Sequence, residues 1–176
     1  LDQGCQVLTR AVIQPGAAIG DNAVVNTAAI VEHDVRVGAH AFIGAKVRIG
    51  EGTVVDHHAI VTGDTLVGAR NRIFPYAVVG SQPQDVKYKE GQESRLEVGD
   101  ENLFREFCTV NTSTLAGGCT RIGNRTWIMA YAHVAHDCVV GSDVKVANAV
   151  NMAGHVTIED GATIGGLVAI HQFVKI

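Results

Sequence analysis

The sequence predicts an all-β protein, a parallel β-helix of triangular coils with 18 residues per coil and an extruded loop near residues 81–96. Three observations predict it. An aliphatic residue recurs every six positions in two long runs. Glycine often follows that residue directly. The large aromatics that usually dominate a globular core make up only 5% of the chain.

The first run steps by six from Leu1 through Val7, Ile13 and Ile19 to Val79, and every position is aliphatic. The second steps from Ile122 through Ile128, Val134, Val140, Val146, Met152, Ile158, Ile164 and Ile170 to Ile176. Val98, Phe104 and Val110 form a short run between them. An amphipathic helix repeats near 3.6 and a half-buried strand at 2, so neither gives a strict period of six. One short strand and one turn per hexad does. Each anchor then points inward, three hexads close a triangle, and stacked coils line the anchors into ladders. Small or β-branched residues such as Ala11, Ala41, Thr126 and Ala132 lie two positions before the anchors. The glycines after them, such as 20, 38, 50, 68, 123 and 141, read as turn residues beside small polar groups.

Two stretches break the repeat. From Val79 to Val98 the gap is 19 residues, and Gly80–Ser94 is polar and lacks an anchor. It reads as a loop extruded from a corner, which solenoids often place on a binding face. In Thr112–Cys119 the spacing of six persists but the anchor becomes Ala116, which reads as a bulge or a shorter loop.

The 176 residues suit one domain, 1–176. The net charge of −4 and the absence of a Lys/Arg run argue against nucleic acid as a partner. No apolar stretch approaches the roughly 18 residues of a membrane span. Cys5, Cys108, Cys119 and Cys138 form no CxxC pair, so reduced thiols and a cytoplasmic location are expected. The chain starts at Leu1 without Met, which reads as a processed or excised piece.

In a triangular solenoid, azimuth is position modulo 18. His136, His155 and His171 give 10, 11 and 9, and His133 gives 7. Three coils therefore put imidazoles at one corner, beside His133 and Asp137. A single turn histidine is more often merely solvated, but a stack of three indicates a site. Metal binding is one option for imidazoles. Layers about 4.8 Å apart let only adjacent coils chelate together, and no Cys or carboxylate cluster joins them. A neutral His acting as general base, its tautomer fixed by a carboxylate or carbonyl, fits better.

Chains of such hexads resemble the known hexapeptide-repeat family, which implies left-handed coils. Tyr131-Ala-His-Val-Ala-His-Asp-Cys138, Met152-Ala-Gly-His-Val156 and Ile164-Gly-Gly-Leu-Val-Ala-Ile-His-Gln-Phe173 resemble the UDP-N-acetylglucosamine acyltransferases of lipid A synthesis. So do Pro83-Gln-Asp-Val-Lys-Tyr88 and Phe104-Arg-Glu-Phe107. The resemblance covers about 36–176. It implies a homotrimer that moves an R-3-hydroxyacyl chain from acyl carrier protein to the 3-hydroxyl of UDP-GlcNAc. It further implies His136 as general base with Asp137 orienting it. His133, His155 and His171 would line the cleft, and Asp85 and Lys87 would reach the sugar and phosphate. Gln172 would contact substrate. Gly154 and Gly166 would leave room for backbone donors near the thioester carbonyl. No metal or organic cofactor is implied.

Residues 1–35 resemble instead the sialic acid and bacillosamine-type sugar N-acetyltransferases. Gly4–Gly16 and Val25–Asp34 carry that likeness, with His33-Asp34 as the counterpart of their base. A natural or engineered join near residue 36 is the expectation. The acyltransferases continue past the segment matching Ile170–Phe173, so the chain is expected to be truncated. Two alternatives follow: an engineered or truncated solenoid scaffold with little or no activity, and an acetyl-CoA-dependent sugar N-acetyltransferase using His33. His33 gives 15 modulo 18, away from the His136 corner.

Overall fold

The structure, a computed structural model, describes residues 1–176. Most hexads form a two-residue strand and a turn. Pleating turns successive side chains to opposite faces, so in Arg36–Val37 the arginine is exposed and the valine buried. The same alternation recurs in Arg48–Ile49 and Lys145–Val146.

The strands form three parallel walls of a left-handed β-helix. The first wall has nine strands, from Gln6–Val7 to Ala169–Ile170. The second has eight, from Val12–Ile13 to Thr157–Ile158, and the third eight, from Ala18–Ile19 to Thr163–Ile164. Val25 pairs with Ile43, Ile43 with Val61 and Val61 with Val79, so each step along the wall is the three hexads expected of one coil. The anchors from Ile19 to Ile170 belong to one buried cluster of 37 residues. Each fully buried Val or Ile contributes about 1.5–3 kcal/mol relative to exposure. No helix is long and apolar enough to cross a membrane.

Glycine does not take the turns as expected. The left-handed position lies three residues after most anchors, and other residues usually hold it: Asp34 (φ 59°), His40 (58°), Asp137 (59°) and His155 (62°) among them. The glycine directly after an anchor is needed for close stacking instead. A Cβ on Gly38 would lie 2.5 Å from the His57 nitrogen, and one on Gly50 2.5 Å from the Gly68 carbonyl carbon.

Both breaks leave the corner between the first and second walls. Val79 pairs with Val110 and Val67 with Val98, so the coil that holds the loop is far longer than its neighbours. The extruded loop is 82–93, narrower than expected at 81–96. Ser81 pairs with Asn111, while Ser94–Val98 pairs with Gly118–Ile122. Those neighbouring strands supply ladder partners that draw the polar edges of the loop into the walls. Beyond it, Val98 pairs with Ile122 and Val110 with Val134, each step being one coil plus one hexad. Residues 112–117 are therefore one whole extra hexad, a shorter loop, and Ala116 is exposed rather than a lapsed anchor.

The corner between the third and first walls carries a ladder of rings. His40, His58, Tyr76, Phe107 and Tyr131 stack in consecutive layers at 5.0, 5.1, 5.2 and 5.1 Å between centroids. All five occupy the left-handed turn position.

Candidate active site

After Ile122 the chain returns to three hexads per coil, and Val134, Met152 and Ile170 pair in succession. The turn following each anchor then falls in one column. His136 lies in the layer next to Gly154, and Asp137 in the layer next to His155. His171 and Gln172 follow in the next coil. The expected gathering of histidines at one corner is what the coils produce. A cleft of about 790 Å³ opens there, lined by His133, His136, Gly154, His171 and Gln172 on the solenoid side. Asp85 and Lys87 of the extruded loop close its other side.

His136 is buried, with 5% exposure. Its ring lies over the next coil because Gly154 has no side chain: a Cβ there would lie 2.2 Å from His136 Cε1. Nδ1 sits 2.9 Å from Asp137 Oδ2 and 3.1 Å from Thr114 Oγ1. Thr114 has one hydroxyl hydrogen, and it donates that to Asp137 Oδ2 at 2.7 Å. Both neighbours of Nδ1 thus accept, which favours the tautomer with the hydrogen on Nδ1 and the lone pair on Nε2. Nε2 lies 3.5 Å from Asp85 Oδ2.

Asp137 accepts a short hydrogen bond from Ser113 Oγ at Oδ1, and one from the Thr114 N–H at 3.2 Å. Burial alone would raise its pKa. The bonds from Ser113, His136 and Thr114 outweigh burial and hold the carboxyl below its ordinary value. His133 Nδ1 lies 2.7 Å from Thr109 Oγ1. Burial, and then the neighbouring His136, lower the His133 pKa, which favours its neutral ring.

The remaining expected residues divide. His155 lies behind His136, edge-on at 5.2 Å between centroids, and stacks on Phe173 at 4.8 Å. Gly166 is not brought to the cleft: it follows Ile164 at the corner between the third and first walls. His33 and Asp34 are exposed on the corner between the second and third walls, apart from the cleft.

Sequence reasoning missed Ser113, Thr114 and Asn111. Asn111 Nδ2 donates to Ser81 Oγ at 2.8 Å and to Gln82 O at 3.0 Å, tying down the start of the loop that carries Asp85. Ser113 precedes Asp137 by one coil plus one hexad, so counting by whole coils puts it on a different face. The lost anchor at Ala116 is the signal the sequence offers, since it marks an inserted hexad.

His136, Asp137 and His155 each place a possible ligand atom within 4.8 Å of the others. The left-handed turn brings the Asp137 carboxylate between two imidazoles, a junction the sequence count did not foresee. Both carboxylate oxygens are already engaged, Oδ1 by Ser113 and Oδ2 by Thr114 and His136. A cation would have to displace those bonds, so the donor set suits proton transfer better than a resident metal.

Residues 119–154 match the family of bacterial transferase hexapeptide (six repeats). The chain is 43% identical over 169 residues to the acyl-[acyl-carrier-protein]–UDP-N-acetylglucosamine O-acyltransferase of Campylobacter concisus, covering 94% of this chain and 59% of that protein. It is 52% identical over 161 residues to the same enzyme of Thiobacillus denitrificans, covering 91% and 62%. The crystal structure of Arabidopsis UDP-N-acetylglucosamine acyltransferase superposes with a TM-score of 0.95 at 33% identity, over 98% of this chain and 61% of that one. The chain thus spans about six tenths of the length of these relatives. An alignment covering 94% of the chain takes in most of residues 1–35. One kind of relative accounts for both sides of position 36, and a join of two families is not needed.

Proposed function

We propose that the chain, which is similar over nearly its whole length to the UDP-N-acetylglucosamine O-acyltransferases, transfers an R-3-hydroxyacyl chain from acyl carrier protein to the 3-hydroxyl of UDP-GlcNAc. One observation carries the reading. His136 is held by Asp137 and Thr114 at Nδ1, with Nε2 turned to a cleft where Asp85 and Lys87 converge.

Nε2 takes the proton of the sugar hydroxyl as its oxygen attacks the thioester carbonyl. The C–O bond forms, and the carbonyl electrons move onto oxygen. Collapse of that intermediate breaks the C–S bond, and His136 returns its proton to the departing thiolate. The Asp137 carboxylate stabilises the imidazolium formed between these steps. The Gly154 N–H makes no hydrogen bond within the chain, which supports its use as a donor to the oxyanion. Lys87 provides a cation for the diphosphate. His133, His171 and Gln172 form the surroundings of the sugar and acyl chain, while His155 does not line the cleft and backs His136 instead. The flat walls with their short exposed aliphatics suit assembly as a homotrimer, and the reaction suits a cytoplasmic setting.

The test is acyl transfer from hydroxyacyl carrier protein to UDP-GlcNAc by this chain. Turnover that falls by about 10²–10⁴ in His136→Ala is expected. Turnover no greater than in that variant would overturn the enzymatic reading and favour an inactive scaffold.

A further inference from the structure

The extra hexad at 112–117 stands beside the general base, and the side chains of its first half, Thr112, Ser113 and Thr114, are buried. Ser113 is 0% and Thr114 8% exposed. Buried hydroxyls are costly unless hydrogen-bonded, and the two spend their hydrogens on the Asp137 carboxylate. The hexad is also clasped to the loop 82–93 and to the first residue of the strand that follows it. Gln92 Nε2 donates to Thr114 O, the Gly117 N–H donates to Glu93 O at 2.8 Å, and Ser94 Oγ donates to Thr112 Oγ1 at 3.0 Å.

We propose that Ser113 and Thr114 are positioning residues: they seat the Asp137 carboxylate so that it holds His136 with Nε2 turned to the cleft. This rests on His136 being the general base. Three donors from the hexad reach Asp137: the Ser113 hydroxyl at Oδ1, and the Thr114 hydroxyl and N–H at Oδ2. They fix the carboxylate plane with Oδ2 toward the imidazole. Thr114 also sets the tautomer, because its hydrogen is committed to Asp137 and only its lone pairs face His136 Nδ1. Removing that hydroxyl leaves the imidazole with one acceptor and the carboxylate with a missing donor. Neither residue lines the cleft, so substrate contacts remain in place.

The experiment compares Ser113→Ala, Thr114→Val and Thr114→Ser with the parent chain. Partners that orient the side-chain ligands of metal sites typically change activity about 10–100-fold, and a comparable effect is expected for partners that orient a general base. Thr114→Val is expected to lower kcat by about that factor, with KM for UDP-GlcNAc within about twofold. Thr114→Ser restores most of kcat, and Ser113→Ala falls between them. In an Asp137→Asn background Thr114→Val adds no further loss. An unchanged kcat in Thr114→Val, a loss that serine does not restore, or full additivity with Asp137→Asn would overturn the proposal. ¹⁵N NMR of the His136 ring separates this from a failure of the enzymatic reading, since it needs no turnover. The Nδ1–H tautomer is expected to dominate in the parent and to give way to a mixture in Thr114→Val. The same tautomer population in both would sink the positioning role even in an inactive chain.

Discussion

The Asp85 carboxylate lies 3.5 Å from Nε2 of His136, although the two come from opposite sides of the cleft, loop and coil. A hydroxyl giving its proton to Nε2 must lie about 2.6–3.2 Å from it, within reach of Asp85 as well. Under the proposed reaction that hydroxyl's one hydrogen goes to Nε2, and Asp85 would accept from a second hydroxyl of the sugar. Asp85→Ala is expected to raise KM for UDP-GlcNAc about tenfold, the loss of one charge-assisted bond, with a smaller change in kcat. Steady-state kinetics over both substrates measures the split.

His133 gives the fold a pH dependence near neutrality. Its pKa in the folded chain is below the ordinary 6.5, because burial and then His136 disfavour the charged ring. Below that ordinary value the unfolded chain therefore binds more protons than the folded one, and stability falls as pH drops from it toward the folded pKa. Thermal melts of the parent and His133→Gln between about pH 7.5 and 5 measure it. The parent is expected to lose the larger share of its Tm.

Asp137 acts in the opposite part of the scale. Its folded pKa lies below 3.8, so its stabilising contribution is present above that value and is lost as pH falls through the folded pKa. The Tm advantage of the parent over Asp137→Asn is expected to hold from about pH 7 to about 5 and to shrink below about pH 4.

Close stacking makes the post-anchor glycines sensitive to one methyl group. Gly50→Ala places a Cβ 2.5 Å from the Gly68 carbonyl carbon, a backbone atom that cannot rotate away. Overpacking of this kind costs about 1–3 kcal/mol, read as a lower urea midpoint with an unchanged slope.

The ring ladder is separable from the cleft. Phe107 stacks on Tyr76 and Tyr131 at 5.2 and 5.1 Å. Phe107→Asn keeps a residue tolerant of φ 60° and removes both stacks. A loss of about 1–3 kcal/mol in stability is expected, with kcat/KM unchanged.

The fold was legible because its burial constraint repeats. Every anchor from Ile19 to Val79 is apolar and buried, and a period of six fits them all. The edges of the loop were not legible, since Ser81 and Ser94–Leu96 are strand only through the partners that flank them. The turns misled for a related reason: glycine's missing side chain matters to the neighbouring coil, which the local sequence does not contain. The histidines at 136, 155 and 171 could be placed by counting because no insertion interrupts them. Ser113 and Thr114 could not, because the extra hexad begins at the residue before them and shifts the count by six.

The return to an unbroken step of one coil after Ile122 has a further consequence. Nothing local in the chain says that Asp137 and His155 are neighbours; only the length of chain between them does. The cleft is kept in tune by spacing, like a vernier read across successive turns. Losing one residue between His136 and Gly154 would rotate every later side chain out of alignment while leaving composition almost untouched. Gaining a hexad at this corner is tolerable, as 112–117 demonstrates. Point substitutions erode such a centre gradually, whereas a single-residue deletion dismantles it at once.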